Sequence, residues 1–80
     1  MTRTELLSGI QEVARVHLDH DGTLSYDQPL VEALRLDSVR MLTLIAEIEN
    51  RFKVCLEEGD EADLLTVGDL VTLLERRVSA

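Results

Sequence analysis

Apolar residues recur at helical spacing in three separate stretches of this 80-residue chain, and no convincing strand pattern accompanies them. Thr2 precedes the first stretch and Glu5 follows three residues later, a pair that can form a capping box at a helix start. Turn-forming residues after Leu18 predict that this helix ends there. One face of the helix is predicted to be buried, and its residues are Leu6, Ile10, Val13 and His17.

The second stretch predicts a central helix that begins at Asp37 and Ser38. The Asp37 carboxylate can accept a hydrogen bond from a free amide of the first turn, which makes this residue a favourable N-cap. Apolar residues cover much of the helix surface, so we expect other helices to surround it. The predicted stripe is Met41, Ile45, Ile48 and Phe52, widened by Leu42 and Leu44.

A third amphipathic stretch predicts the last helix, capped by Thr66 with Asp69 three residues on. Its predicted buried stripe is Val67, Leu70, Val71, Leu74 and Val78. A long connection over residues 19–37 is expected to pack onto the helices, and a short helical turn is predicted at residues 61–65. We therefore predict an all-α fold, a small four-helix bundle of three main helices and one short helical turn, formed by residues 1–80 as a single domain.

The formal net charge of −8 narrows the partners that this chain can bind. Phosphate backbones and anionic membranes attract Lys and Arg, so neither a nucleic acid nor a membrane is expected as a partner. A basic protein surface is favoured instead. Cys55 is the one cysteine, which fits a cytoplasmic protein without an internal disulfide, and we expect it to be a small buried core residue. No long exposed apolar stripe is left over, so we expect a monomer.

Ser38 is the residue whose position suggests chemistry. It follows a long loop and opens a helix, where free amides and the positive end of the helix dipole would stabilise a phosphate attached to its hydroxyl. The residue types alone favour a simpler interpretation, in which Asp37 and Ser38 are an ordinary capping pair. Hydrolysis would need a base near Ser38. The candidates are His17, expected to be partly buried, and His20 in a turn, so catalysis by the chain is not expected. No metal site is predicted, because the acidic residues after Leu18 lack calcium-loop spacing.

Three motifs make the whole chain resemble the acyl and peptidyl carrier protein family. Residues 36–39 read Leu-Asp-Ser-Val, similar to the Asp-Ser-Leu motif whose serine carries 4′-phosphopantetheine in that family. Residues 49–54 read Glu-Asn-Arg-Phe-Lys-Val, similar to the family's Glu-x-x-Phe-Gly-Ile, and residues 65–70 read Leu-Thr-Val-Gly-Asp-Leu, similar to its Thr-Val-x-Asp-Leu. The motifs occur in the order and at the spacing of the family, which implies a bundle of the carrier-protein type.

The resemblance implies that Ser38 carries covalent 4′-phosphopantetheine, transferred from coenzyme A by a phosphopantetheinyl transferase. It implies a carrier and not an enzyme, because such proteins hold cargo as a thioester on the arm and deliver it to partner enzymes. An adenylating enzyme or an acyltransferase would load or unload that cargo. Asp37 is expected to cap the helix, and a second role for it, in orienting the transferase and its metal, is left open.

Departures from the family pattern favour specialised metabolism. Fatty-acid carriers place acidic residues shortly after the serine, where they meet basic enzyme patches, and this chain has Arg40 and Thr43 there. Arg35 also replaces the usual glycine before Leu-Asp-Ser. The chain therefore looks most similar to discrete carriers of polyketide, nonribosomal peptide or siderophore biosynthesis, and an aminoacyl or aryl cargo is favoured over a fatty acyl one. The residues expected to contact partner enzymes are Arg40, Met41, Thr43 and Glu47.

An acidic helical protein-interaction module without a prosthetic group stays open as the alternative function. It explains the size, the charge and the helices equally well, but it does not explain the three motifs together. The dense acidic stretch at residues 57–63 is expected to be a solvated face, and an interaction patch is the alternative interpretation of it.

Overall fold

The computed structural model describes residues 2–57 and 59–79. It contains four α-helices, α1 (Arg3–His17), α2 (Leu30–Leu34), α3 (Ser38–Phe52) and α4 (Val67–Ser79), and a 3₁₀ turn (Asp60–Asp63) between α3 and α4. Over these residues no strand is present, and the single β-bridge joins Pro29 to Thr66. The predicted all-α fold is therefore confirmed. None of the described helices is both long enough and apolar enough to cross a membrane.

The helix starts were predicted correctly because their caps are local. Thr2 Oγ1 accepts a hydrogen bond from the Glu5 amide at 3.1 Å, and Glu5 Oε1 accepts one from the Thr2 amide at 2.9 Å. That bond from the Thr2 amide holds the pKa of the Glu5 carboxyl below its usual value. At the start of α4, Asp69 Oδ2 accepts from the Thr66 amide at 2.9 Å, and Thr66 Oγ1 accepts from the Asp69 amide at 3.1 Å.

The core lies where α1 packs against α3 and α4. Most of the predicted stripe residues are buried, whereas Met41, Ile45 and Val78 are half-buried and two others are exposed. His17 is exposed at the end of α1, and its Nε2 lies 3.3 Å from Glu47 Oε1 on α3, so the expectation of a partly buried histidine is wrong. Leu42 is also exposed, because it lies on the side of α3 that faces away from α1. The buried apolar residues are Leu6, Ile10, Val13, Ala14, Leu18, Leu24, Leu30, Leu34, Leu44, Ile48, Phe52, Leu64, Val67, Leu70, Val71, Leu73 and Leu74.

The connection before α3 contains a helix that the sequence pattern did not predict. Pro29 stands at the N-cap of α2 in an extended conformation, and Leu30 and Leu34, one turn apart, are both buried. Five residues are too few to show a helical period, so the pattern predicted only a packed loop. The predicted turn at residues 61–65 is present, but its helical part is the 3₁₀ turn Asp60–Asp63.

Three backbone hydrogen bonds fasten this connection to the start of α4. The Leu30 amide donates to the Leu65 carbonyl at 2.9 Å, and the Val67 amide donates to the Gln28 carbonyl at 2.9 Å. The third bond runs from Gly68 to the carbonyl of residue 26 at 2.7 Å, and a Cβ at Gly68 would lie only 2.9 Å from that oxygen. We call these bonds between residues 26–30 and 65–68 the clasp.

Cys55 is exposed, so the expectation of a buried core cysteine is wrong. Residues 54–57 are not helical, and the neighbours Val54 and Leu56 pack against the core. In extended backbone successive side chains point to opposite sides, so Cys55 faces solvent when its neighbours face inward.

Two helices end at non-glycine residues in the left-handed region. Arg35 closes α2 with φ 52°, and Lys53 closes α3 with φ 57°. Both stand where the resembling family has glycine, the residue that adopts this conformation without a steric cost.

Replacing Arg35 by glycine is therefore expected to stabilise the fold by about 0.5–1 kcal/mol, because the strain of a Cβ at positive φ disappears. The free energy of unfolding in urea measures the effect. Arg35→Ala is the matched control, since it removes the same charge and keeps the Cβ. An equal stability of the two variants would show that strain at residue 35 is not the cause.

Candidate functional site

Ser38 is the first residue of α3 and is exposed. Asp37 precedes it as the N-cap, and its Oδ1 accepts a hydrogen bond from the Arg40 amide at 2.8 Å, so the predicted cap is confirmed. The first-turn amides of Ser38 and Val39 have no acceptor within the helix. A phosphate on the Ser38 oxygen would lie beside these amides and at the positive end of the helix dipole.

A groove of about 380 Å³ opens beside Ser38. One wall is α3, and the other is the segment that follows it, residues 56–64. Its lining is mostly apolar, which suits an apolar group carried on an arm from Ser38. We call it the Ser38 groove, and its lining residues are Ser38, Met41, Leu42, Ile45, Leu56, Glu57, Asp60 and Leu64.

Arg40 turns inward from this surface. Its Nη2 donates to the Leu18 carbonyl at 2.8 Å and to the Leu34 carbonyl at 2.9 Å, and its Nε donates to the same Leu34 oxygen at 3.3 Å. The guanidinium thus joins the last turns of α1 and α2, whose terminal carbonyls lack helix partners. A contact between Arg40 and a partner enzyme stays a prediction, and the structure adds an internal role for the side chain.

The other three residues expected to contact partner enzymes differ in how far their side chains are free to do so. Met41 is half-buried and lines the Ser38 groove. Thr43 Oγ1 donates to the Val39 carbonyl at 3.1 Å, within α3, and Glu47 lies beside His17. The hydroxyl of Thr43 and the carboxylate of Glu47 are therefore both engaged inside the chain.

Large apolar side chains are exposed in the first turns of α3 and before α4, and the sequence pattern did not single them out as a surface. Val39 is 71% exposed and Leu42 is 69% exposed, three residues apart on α3. Leu65, before α4, is 73% exposed. Of these residues, Leu42 was predicted to widen the buried stripe of α3, and the structure shows that it faces solvent.

Neither histidine lines the Ser38 groove. His17 lies beside Glu47, and His20 lies in the irregular segment after α1. The described ranges contain no group of three or more His, Cys, Asp or Glu residues arranged to hold a metal ion.

The acidic stretch at residues 57–63 is only partly the solvated face that was expected. Asp63 is exposed, but Asp60 Oδ2 accepts from the Glu57 amide at 2.8 Å and from Arg77 Nη2 at 2.7 Å. The hydrogen bond from the Glu57 amide, and after it the contact with Arg77, hold the pKa of the Asp60 carboxyl below its usual value. Glu58 lies outside the described residues, as does the side chain of Glu61.

Comparison with known proteins gives consistent matches over nearly the whole chain. A family model described as "Phosphopantetheine attachment site" matches residues 4–74. An acyl carrier protein of Exiguobacterium sibiricum is 28% identical over 79 residues, which cover 98% of this chain and 100% of the relative. An acyl carrier protein of Kineococcus radiotolerans is 32% identical over 74 residues, 90% of each chain. A meromycolate extension acyl carrier protein of Mycobacterium leprae is 29% identical over 77 residues, 95% of this chain and 67% of the relative.

Proposed function

Because the chain belongs to the phosphopantetheine-binding family of acyl carrier proteins, we propose that Ser38 is the residue that carries its 4′-phosphopantetheine. The observation that carries the proposal is the exposed Ser38 hydroxyl at the first turn of α3, beside an apolar groove. Ser38 also lies within the matched residues 4–74. When attached, the arm supplies the thiol that holds an acyl group as a thioester.

The chain is a carrier and not an enzyme, so its partners perform the chemistry. They comprise a phosphopantetheinyl transferase and enzymes that handle acyl groups. In the attachment step, Ser38 Oγ attacks the pyrophosphate of coenzyme A at the phosphorus that bears the pantetheine. The new phosphoester bond replaces the P–O bond to the other phosphate, adenosine 3′,5′-bisphosphate leaves, and the serine proton goes to a base. Neither histidine lines the groove, and we expect the transferase to supply the base.

Intact mass spectrometry tests the proposal. The chain is incubated with coenzyme A and a broad-specificity phosphopantetheinyl transferase, and the mass is expected to rise by one phosphopantetheine group. Peptide mapping should place the added mass on Ser38. A folded chain that gains no mass with several transferases would contradict the proposal and favour the protein-interaction module.

Asp37 is proposed to have two separable roles, a helix cap and an orienting group for the transferase and its metal. Asn caps helices about as well as Asp, so Asp37→Asn should change the free energy of unfolding by less than about 0.5 kcal/mol, whereas Asp37→Ala should lower it by about 1 kcal/mol. If the carboxylate also orients the transferase, Asp37→Asn will lower kcat/KM for arm attachment although its stability is normal. Normal attachment in Asp37→Asn would leave the cap as the only role.

We further propose that residues 1–80 act as one carrier domain in polyketide, nonribosomal peptide or siderophore biosynthesis, with an aminoacyl or aryl cargo. The support is the surface after Ser38, where Arg40 and Thr43 are engaged internally and Val39 and Leu42 are exposed. This surface offers apolar contacts where a fatty-acid carrier offers carboxylates to basic enzyme patches.

The pathway is tested by loading the arm-bearing chain in two reactions and measuring its mass. One contains malonyl-CoA and a malonyltransferase of fatty-acid synthesis, and the other contains ATP, a hydroxybenzoate and an aryl-adenylating enzyme. Loading in the second reaction alone is the expected result. Efficient loading in the first alone would assign the chain to fatty-acid synthesis.

A further inference from the structure

The two walls of the Ser38 groove are held in different ways. The α3 wall is fixed because this helix packs along α1. In the outer wall, residues 56–57 and 59–64 are described, and their one regular element is the four-residue 3₁₀ turn. The wall is anchored at one end by the Leu56 amide, which donates to Glu49 Oε2 at 2.9 Å, and at the other by the buried side chain of Leu64.

Arg77 supports the middle of this outer wall from α4. Its Nη2 lies 2.7 Å from Asp60 Oδ2, and its Nη1 lies 3.5 Å from Glu57 Oε1. Arg77 Nε is buried and meets no acceptor among the residues that the structure describes. Within that part of the chain, the guanidinium is therefore directed at the two carboxylates of the wall.

Asp60 connects this ion pair to the groove. It lines the Ser38 groove, and the same oxygen that accepts from Arg77 also accepts from the Glu57 amide at 2.8 Å. Loss of Arg77 would leave a partly buried carboxylate without the cation that ties it to α4. The wall would then move more freely relative to α3.

We propose that Arg77 is a positioning residue that holds the outer wall of the Ser38 groove and thereby determines how well the groove shelters an apolar acyl group. The inference rests on the proposed function, because an acyl group reaches this groove from an arm on Ser38. It concerns the fit of cargo in the groove and not the attachment of the arm, so Arg77 variants should accept the arm normally.

The test compares two cargoes on three chains. Wild type, Arg77→Gln and Arg77→Lys are given an octanoyl or an acetyl arm by a transferase acting on octanoyl-CoA or acetyl-CoA, and the rate of thioester cleavage by hydroxylamine is measured. Because a partly exposed ion pair contributes only a small free energy, we expect Arg77→Gln to speed octanoyl cleavage by a modest factor, roughly two- to fivefold. The acetyl arm is too short to be sheltered and should react equally in all three, and Arg77→Lys should restore part of the octanoyl protection.

Arg76→Gln is the matched control, because it removes the same charge from the same turn of α4 at an exposed position. Its effect on octanoyl cleavage should be much smaller than that of Arg77→Gln, because Arg77 donates a hydrogen bond to Asp60 and Arg76 acts on it by charge alone. Amide hydrogen exchange on the chain without an arm gives a second measurement, in which Arg77→Gln should speed exchange at Leu56 and Asp60 and Arg76→Gln should not.

Three outcomes would overturn the inference: equal effects of the two glutamine variants, a parallel rise in octanoyl and acetyl cleavage in Arg77→Gln, or wild-type octanoyl and acetyl arms that react alike. Failure of the proposed function has a different signature. In that case no chain gains the mass of an arm, whereas the hydrogen-exchange comparison still reports on the wall.

Discussion

Replacing Ser38 by alanine is expected to abolish attachment of phosphopantetheine completely and to leave the fold intact. The substitution removes the oxygen that forms the phosphoester bond. Alanine is a good helix former, the side chain at this position is exposed, and the cap by Asp37 does not involve Ser38. Intact mass after incubation with coenzyme A and transferase measures attachment, and thermal unfolding followed by circular dichroism measures the fold.

Ser8→Ala is the control for this experiment, since Ser8 is another exposed helical serine, on α1. It should gain the arm at the wild-type rate. A Ser38→Ala chain that still gains the mass of one arm would place the attachment site elsewhere. A variant that loses the arm and keeps full activity with partner enzymes would favour the protein-interaction module.

Arg40→Ala is expected to produce a large loss of stability, about 2–3 kcal/mol, because it removes three hydrogen bonds from a charged group to backbone carbonyls. The carbonyls of Leu18 and Leu34 would lose their donor at the ends of two helices. Such a loss is a substantial fraction of the stability of a small domain. The free energy of unfolding in urea is the measurement.

Two further variants separate hydrogen bonding from charge. Arg40→Lys keeps the charge but offers a single ammonium to the two carbonyls, so its stability should lie between wild type and Arg40→Ala. Arg51→Ala removes a cation from an exposed position on the same helix and should cost less than about 1 kcal/mol. If Arg40→Ala were no less stable than Arg51→Ala, the bridge between α1 and α2 would contribute nothing.

The features that the sequence predicted well depend on neighbours a few residues away. The capping pair of Thr2 and Glu5, and that of Thr66 and Asp69, form between residues three apart, and so does the Asp37 cap before Ser38. The all-α fold follows from periodicity, which also acts over short distances. The information that specifies the helix starts and the all-α fold is therefore contained in short stretches of the sequence.

The features that were predicted poorly from the sequence depend on contacts between distant segments. Helix α2 is stabilised by burial of its two leucines and not by a visible period. His17 and Leu42 were predicted on buried stripes, and the structure leaves both exposed. Arg40 was expected on the partner surface, and its inward direction depends on the carbonyl of Leu18, 22 residues earlier. Cys55 was misplaced for a related reason, since its orientation follows from the burial of its neighbours.

The clasp has a consequence for the order of events during synthesis. Its bonds join residues 26–30 to residues 65–68, and the chain between them contains Ser38, both walls of the groove and α2. Ribosomes make the chain from the N-terminus, so the serine is produced before the residues that fasten the loop in front of its helix. The surface that a transferase meets is therefore complete only after the first turn of α4 has been made, and a nascent chain that ends earlier presents the serine without it.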